Sequence, residues 1–166
     1  MFDGQVVRLR VSRYRRPSGV VVRREVMDHD GAVVMVPVEG EHVLMVRQPR
    51  EAVERNMLEL PAGKLDVPGE DPLECARREL AEEVGRAADT WRSLGGFYTA
   101  PGLLTEFIHC YMATDLRPIA HEPIPEEEIE IVPWPMADLD ALIARVEDAK
   151  TLIGLLRLAR EAGRPG

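Results

Sequence analysis

The chain has 166 residues, 45% of them hydrophobic and 30% charged, with a formal net charge of −8. That length and balance suit one globular domain with a buried core. No apolar run is long enough for a membrane-spanning helix, and the acidic balance argues against nucleic-acid backbone binding as the main task. The arginine-studded start lacks the apolar core of a secretory signal, so a cytoplasmic location is expected, with Cys75 and Cys110 as reduced, buried thiols.

Residues 20–26 and 32–38 are β-rich runs separated by His29-Asp30-Gly31, and residues 43–46 form a third run after Glu39-Gly40-Glu41. Residues 58–63 form a short extended piece closed by Pro61 and Gly63. A helix is predicted over residues 71–84. Asp71 is its N-cap, Pro72 occupies its first turn, Glu74 has capping-box spacing, and Leu73, Ala76, Leu80 and Val84 make its apolar face. Gly85 is placed to end it in a left-handed cap.

Strands are then predicted over residues 91–98 and 107–113, around the turn Ala100-Pro101-Gly102. A polar, proline-rich loop at 121–128 precedes a strand over 129–134. Two helical stretches follow, one marked by Leu139, Leu142, Ile143 and Val146, the other by Leu152, Leu155, Leu156 and Ala159. The expected fold is α/β: an α/β/α sandwich on a mixed sheet over residues 29–166, preceded by a β extension over residues 1–28.

Glu79, Glu82 and Glu83 crowd one face of the predicted helix. Like charges at these spacings cost a few tenths of a kcal/mol each, roughly, and the helix C-terminus disfavours anions. A solvated acidic face is the bland explanation, but the unfavourable placement favours a cation site. Clustered carboxylates suit Mg²⁺, with Mn²⁺ or another divalent cation as the alternative. Zinc is disfavoured, because His29, His42, His109 and His121 show no ligand spacing about this helix.

The run Gly63-x6-Glu70-x7-Arg78-Glu79-Leu80-x-Glu82-Glu83-x-Gly85 resembles the Nudix box. It departs from that pattern by one extra residue between Gly63 and Glu70 and by Arg86 in place of an aliphatic residue. The resemblance implies hydrolysis of a diphosphate joined to another moiety. It implies that Glu79, Glu83 and the Ala62 carbonyl bind metal and that Glu82 binds or orients water. Arg78 and Glu70 would pair to hold a loop–helix–loop in shape between Gly63 and Gly85.

More of the chain resembles the ADP-ribose pyrophosphatase branch of that family. The resemblance rests on Asp30-Gly31-Ala32-Val33-Val34, Val46-Arg47-Gln48-Pro49-Arg50, Leu58-Glu59-Leu60-Pro61-Ala62-Gly63, and Pro101 sixteen residues beyond Gly85. It implies cleavage of ADP-ribose to AMP and ribose 5-phosphate. Glu126 would be the base and Glu127 a further metal ligand, with their order in Glu126-Glu127-Glu128 left open and an acidic solvated turn as the alternative. Arg50 would contact substrate, Glu106 would hold a ribose hydroxyl, and Arg24-Glu25 would reach the substrate across a homodimer interface. In a chain so rich in arginine, each of these arginines has an ordinary surface role as its alternative. Two rivals are carried: the same chemistry on a sugar nucleotide, a dinucleoside polyphosphate or FAD, and a nucleotide sensor without turnover. Trp91, Trp134, Tyr98 and Phe97 could stack a base, but core packing is the commoner fate of such residues.

Overall fold

The computed structural model describes residues 2–3, 8–120 and 128–163. Strands β1 (Phe2–Asp3), β2 (Arg8–Arg15) and β3 (Val21–Asp28) form a separate antiparallel sheet. Its middle strand and β3 are largely exposed along their length. The far end of β3 is tied to the rest of the chain, where Met27 N donates to Leu103 O at 2.9 Å and Thr105 N donates to Met27 O at 3.1 Å.

The main sheet is built on β4 (Ala32–Glu39) and β5 (His42–Arg50). Successive side chains of a strand point to opposite faces. In β4, Val34 and Val36 join one apolar cluster and Val33 and Met35 the other, all fully buried. β5 repeats the division, with Val43 and Met45 against Leu44 and Val46. Strands buried on both faces have to lie between two layers. Next come β6 (Arg55–Glu59), β7 (Ala62–Lys64), α1 (Pro72–Val84), β8 (Arg86–Tyr98), β9 (Phe107–Pro118), β10 (Glu130–Pro135), α2 (Leu139–Arg145) and α3 (Ala149–Glu161).

α1 covers one face with Cys75, Ala76, Leu80 and Val84. α2 and α3 cover the other with Leu139, Leu142, Leu155, Leu158 and Ala159. The strand order is β10-β5-β4-β9-β8, with β6 added to β5 and β7 to β4. β4 and β9 run parallel from Ala32↔Ile108 to Pro37↔Ala113, and the other pairs are antiparallel. The α/β/α sandwich on a mixed sheet is thus the fold expected. Among the described residues no helix is long and apolar enough to cross a membrane, and both cysteines are buried free thiols.

Two local expectations need correction. The strand predicted from Trp91 begins at Arg86. Gly85, at φ 64°, turns the chain out of α1, and the next residue already pairs, Arg86 with Pro118. β8 is an edge strand with much of its surface exposed, so its first residues need not be apolar and escape hydrophobic patterning. Arg86, the departure from the box, donates from Nε to Glu39 Oε1 at 2.7 Å and ties the helix exit to β4. The capping box is only half formed. Asp71 accepts from Leu73 N at 2.8 Å, while Glu74 lies 3.5 Å from Arg77 Nε.

Candidate active site

A cleft of about 710 Å³ opens at one end of the sandwich. Its floor is formed by Ala62 and Gly63 of β7 together with Glu79 and Glu83 of α1. Gly63 is required here for close approach, since a Cβ would fall 1.9 Å from Glu79 Cδ. Glu83, 8% exposed, accepts from Ala62 N through Oε2 at 3.0 Å, which joins helix to strand.

Arg78 organises the carboxylates behind the floor. It forks onto Glu70, Nε to Oε1 at 3.1 Å and Nη2 to Oε2 at 3.2 Å. Its Nη1 donates to Glu79 Oε1 at 2.7 Å and Glu82 Oε2 at 3.1 Å. The bonded guanidinium holds Glu70 below the usual carboxylate range, and Arg78 is itself raised by Glu70. Glu79 behaves oppositely. Its side chain is 13% exposed, and burial pushes it up to about 7 despite the pull of Arg78.

Among the described residues no group of three or more His, Cys, Asp or Glu side chains is already gathered as metal ligands. The donors on the floor nevertheless fit a hard divalent cation. Two carboxyl groups and a strand backbone supply oxygen, as Mg²⁺ and Mn²⁺ prefer. Cys75 does not line the cleft, and its Sγ donates to Lys64 O at 3.4 Å. A carboxyl whose proton affinity is raised by burial, beside a cradle only glycine allows, is a place where a cation would compete with a proton.

A second wall carries the cations. Arg50, at the end of β5, donates from Nε and Nη2 to the two oxygens of Glu59 at 2.8 and 2.7 Å. The Glu59 side chain is 2% exposed, and its Oε2 also accepts from Lys150 Nζ of α3. Burial raises the proton affinity of Glu59, but Arg50 and Lys150 outweigh it and keep the carboxylate below its ordinary range. Lys150 Nζ also donates to Asp148 Oδ2 at 2.9 Å. Asp148 caps α3 by accepting from Thr151 N at 3.0 Å, and Thr151 Oγ1 accepts from Leu60 N at 2.8 Å. The chain of bonds so runs from Arg50 to the segment just before the floor.

On the rim, Glu106 Oε2 accepts from Thr99 Oγ1 at 2.6 Å, and Glu106 Oε1 lies 3.4 Å from His29 Nε2. His29 Nδ1 accepts from Gly31 N at 3.0 Å, so the ring hydrogen sits on Nε2, facing Glu106.

Ala62, Gly63, Glu79, Glu83, Arg50 and Glu106 therefore converge on the cleft. Glu70, Arg78 and Glu82 stand behind it. Arg24 and Glu25 lie on β3, paired with Ser12 and Val11, away from the cleft of their own chain. Glu126 and Glu127 lie outside the described residues. Of the four named aromatics, Phe97, Trp134 and Trp91 pack against the core, while Tyr98 is 58% exposed. Trp91 meets Tyr111, Tyr98 meets Phe107, and Trp134 and Phe97 lie under Arg145 and Arg157.

Sequence reasoning missed His29, Glu59 and Lys150 as site residues. Lys150 had a usable signal. A cation in the first turn of a helix is as misplaced with respect to the helix dipole as the carboxylates at the end of α1.

The NUDIX domain family matches residues 27–155. The ADP-ribose pyrophosphatase of Mycobacterium tuberculosis (strain ATCC 25618 / H37Rv) is 40% identical over 150 residues, which cover 89% of this chain and 72% of that protein. The ADP-ribose pyrophosphatase of Bacillus subtilis (strain 168) is 36% identical over 156 residues, covering 91% and 84%. A crystal structure of an ADP compounds hydrolase matches with a TM-score of 0.86 at 26% identity, covering 99% of this chain and 92% of that one. The chain belongs to the NUDIX family. Within it, its relatives include ADP-ribose pyrophosphatases along most of its length.

Proposed function

We propose that the chain is a divalent-cation-dependent pyrophosphohydrolase that cleaves ADP-ribose to AMP and ribose 5-phosphate. The observation that carries this reading is the floor of the cleft, where Glu79 and Glu83 meet Ala62 and Gly63. The two ADP-ribose pyrophosphatases among its relatives support the choice of substrate.

Glu79, Glu83 and the Ala62 carbonyl would hold the cation, which we take to be Mg²⁺, with Glu127 completing the set. When bound, it supplies positive charge against the diphosphate and acidifies water beside it. Arg78 keeps Glu79 and Glu82 oriented by pairing with both. Arg50, fixed by Glu59, takes a phosphate oxygen, a role suited to a rigid guanidinium fork. Glu106 accepts from a ribose hydroxyl. Glu126 receives the proton of the attacking water, or Glu82 if its bond to Arg78 is released and it turns into the cleft. The water oxygen joins one phosphorus, the bridging P–O bond breaks, and the bridging oxygen leaves with the other phosphate. Most of the rate gain then comes from positioning and from charge arranged in advance.

The exposed N-terminal sheet would serve a cytoplasmic homodimer, in which Arg24 and Glu25 approach the partner's cleft.

The test is product release from ADP-ribose, sugar nucleotides, dinucleoside polyphosphates and FAD, with Mg²⁺ and with EDTA, beside Glu83→Gln. The expected result is Mg²⁺-dependent formation of AMP from ADP-ribose, reduced at least ~100-fold in the variant. Preference for another panel member would move the substrate and leave the chemistry. Tight nucleotide binding without any turnover would overturn the hydrolase reading.

A further inference from the structure

Arg50, Glu59, Lys150 and Asp148 make a neutral set of two cations and two anions on one wall of the cleft. A purely structural role fits this set poorly. Burying charge is costly, and apolar residues of similar size commonly serve stability as well or better. Lys150 is also in the first turn of α3, where the helix dipole opposes a cation. Its placement is made tolerable only by the carboxylates of Glu59 and Asp148.

An ammonium has three hydrogens to donate. Glu59 and Asp148 take two of those of Lys150, whose side chain is 15% exposed and lines the cleft. Arg50 lines the same wall and is 40% exposed, with Nε and Nη2 engaged by Glu59. Arg50 also feels the charge of Glu83 on the floor, so this wall stands within electrostatic reach of a carboxylate expected to hold metal. The buried carboxylate of Glu59 thus spaces two cations side by side and turns them toward the ligand space.

We propose that Lys150 is a substrate-contacting residue: held beside Arg50 by Glu59, it donates its remaining N–H to a phosphate oxygen of the nucleoside diphosphate. The inference rests on the reading that the cleft takes such a substrate. Glu59, too buried to touch the ligand, is a positioning residue for both cations.

The experiment is made on the full chain, comparing wild type with Lys150→Met and Lys150→Arg. ADP binding is measured by calorimetry across a series of salt concentrations, ADP-ribose turnover in the steady state, and Tm as a check on folding. In Lys150→Met, the loss of one charge-assisted hydrogen bond should weaken ADP binding and raise KM about 10- to 100-fold, with kcat within about twofold. The salt dependence of ADP binding should become shallower, and Lys150→Arg should recover most of the affinity. If Lys150→Met does not fold, Lys150→Gln, which can still donate to Glu59, takes its place. Unchanged ADP affinity, or a fall confined to kcat, overturns the proposal. If wild type binds ADP and leaves ADP-ribose intact, the substrate reading falls while the titration still decides the role of Lys150.

Discussion

Glu79 is a carboxyl group placed where water is scarce, and the fold sets a basic guanidinium 2.7 Å away without making it a strong acid. Burial outweighs the ion pair, so its folded-state value of about 7 lies above the ordinary 4.5. A folded state that holds its proton more tightly than the unfolded chain loses stability as pH rises between those two values. The contribution of Glu79 to the stability of the metal-free protein is therefore expected to fall by about 1–2 kcal/mol between pH 4.5 and 7.5, after allowance for solvent on the cleft side of the carboxyl, with Glu59 and Glu70 acting in the opposite direction at the acid end. Mg²⁺ should reverse the trend, because the deprotonated form binds it. Urea titrations at pH 5, 6, 7 and 8, with Mg²⁺ and with EDTA, would show whether the two series diverge upward in pH; parallel series would remove Glu79 from the metal site. Glu79 and Glu83 were legible in sequence because their placement is locally unfavourable. Glu59 was not, because Lys150 lies 91 residues away and only the fold brings it and Arg50 onto the same carboxylate.

The floor of the cleft depends on two elements meeting without a side chain between them. β7 presents Gly63 to Glu79, and any larger residue would displace the carboxyl, not the backbone. Gly63→Ala is accordingly expected to cut kcat/KM at least ~100-fold by moving a catalytic carboxylate about an ångström. Far-ultraviolet circular dichroism should stay unchanged, and a variant that turns over normally would show that Glu79 need not sit where it does. Helix α1 was legible to the residue, since Asp71, Pro72 and Gly85 mark its ends chemically. The first part of β8 was not, since an edge strand can be polar. Strand order and the parallel pairing of β4 with β9 leave no local mark in sequence either.

At the scale of the molecule, the N-terminal sheet leaves Val11, Tyr14, Val20 and Val21 at least 40% exposed. Strand alternation puts Val11 on the same face as Arg15, whose cross-strand partner is Val21, and exposed apolar groups that share a face commonly mark an interface. Sedimentation at micromolar concentration should give a dimer, and Val11→Asp with Val21→Asp should shift it toward monomer. If Arg24 and Glu25 complete a partner's site, the monomer should also lose activity; a fully active monomer would confine the site to one chain. Here the sequence marked only residues 20–26 as β-rich; β2, dense in arginine, carries no apolar run to mark it, and contact between chains is a property of surfaces that patterning along one chain cannot locate.

The parallel partnership of β4 and β9 has a consequence for how the molecule comes into being. Ala32 finds Ile108 only after β5, β6, β7, α1 and β8 have all been synthesised between them. Contacts of such long sequence separation slow folding, because loop closure is completed before it is rewarded. The emerging chain will hold the apolar face of α1 against an unfinished sheet until β9 arrives. On a ribosome, the carboxylate floor consolidates late, and a chain stalled before residue 118 would have the whole acidic helix and no finished enzyme.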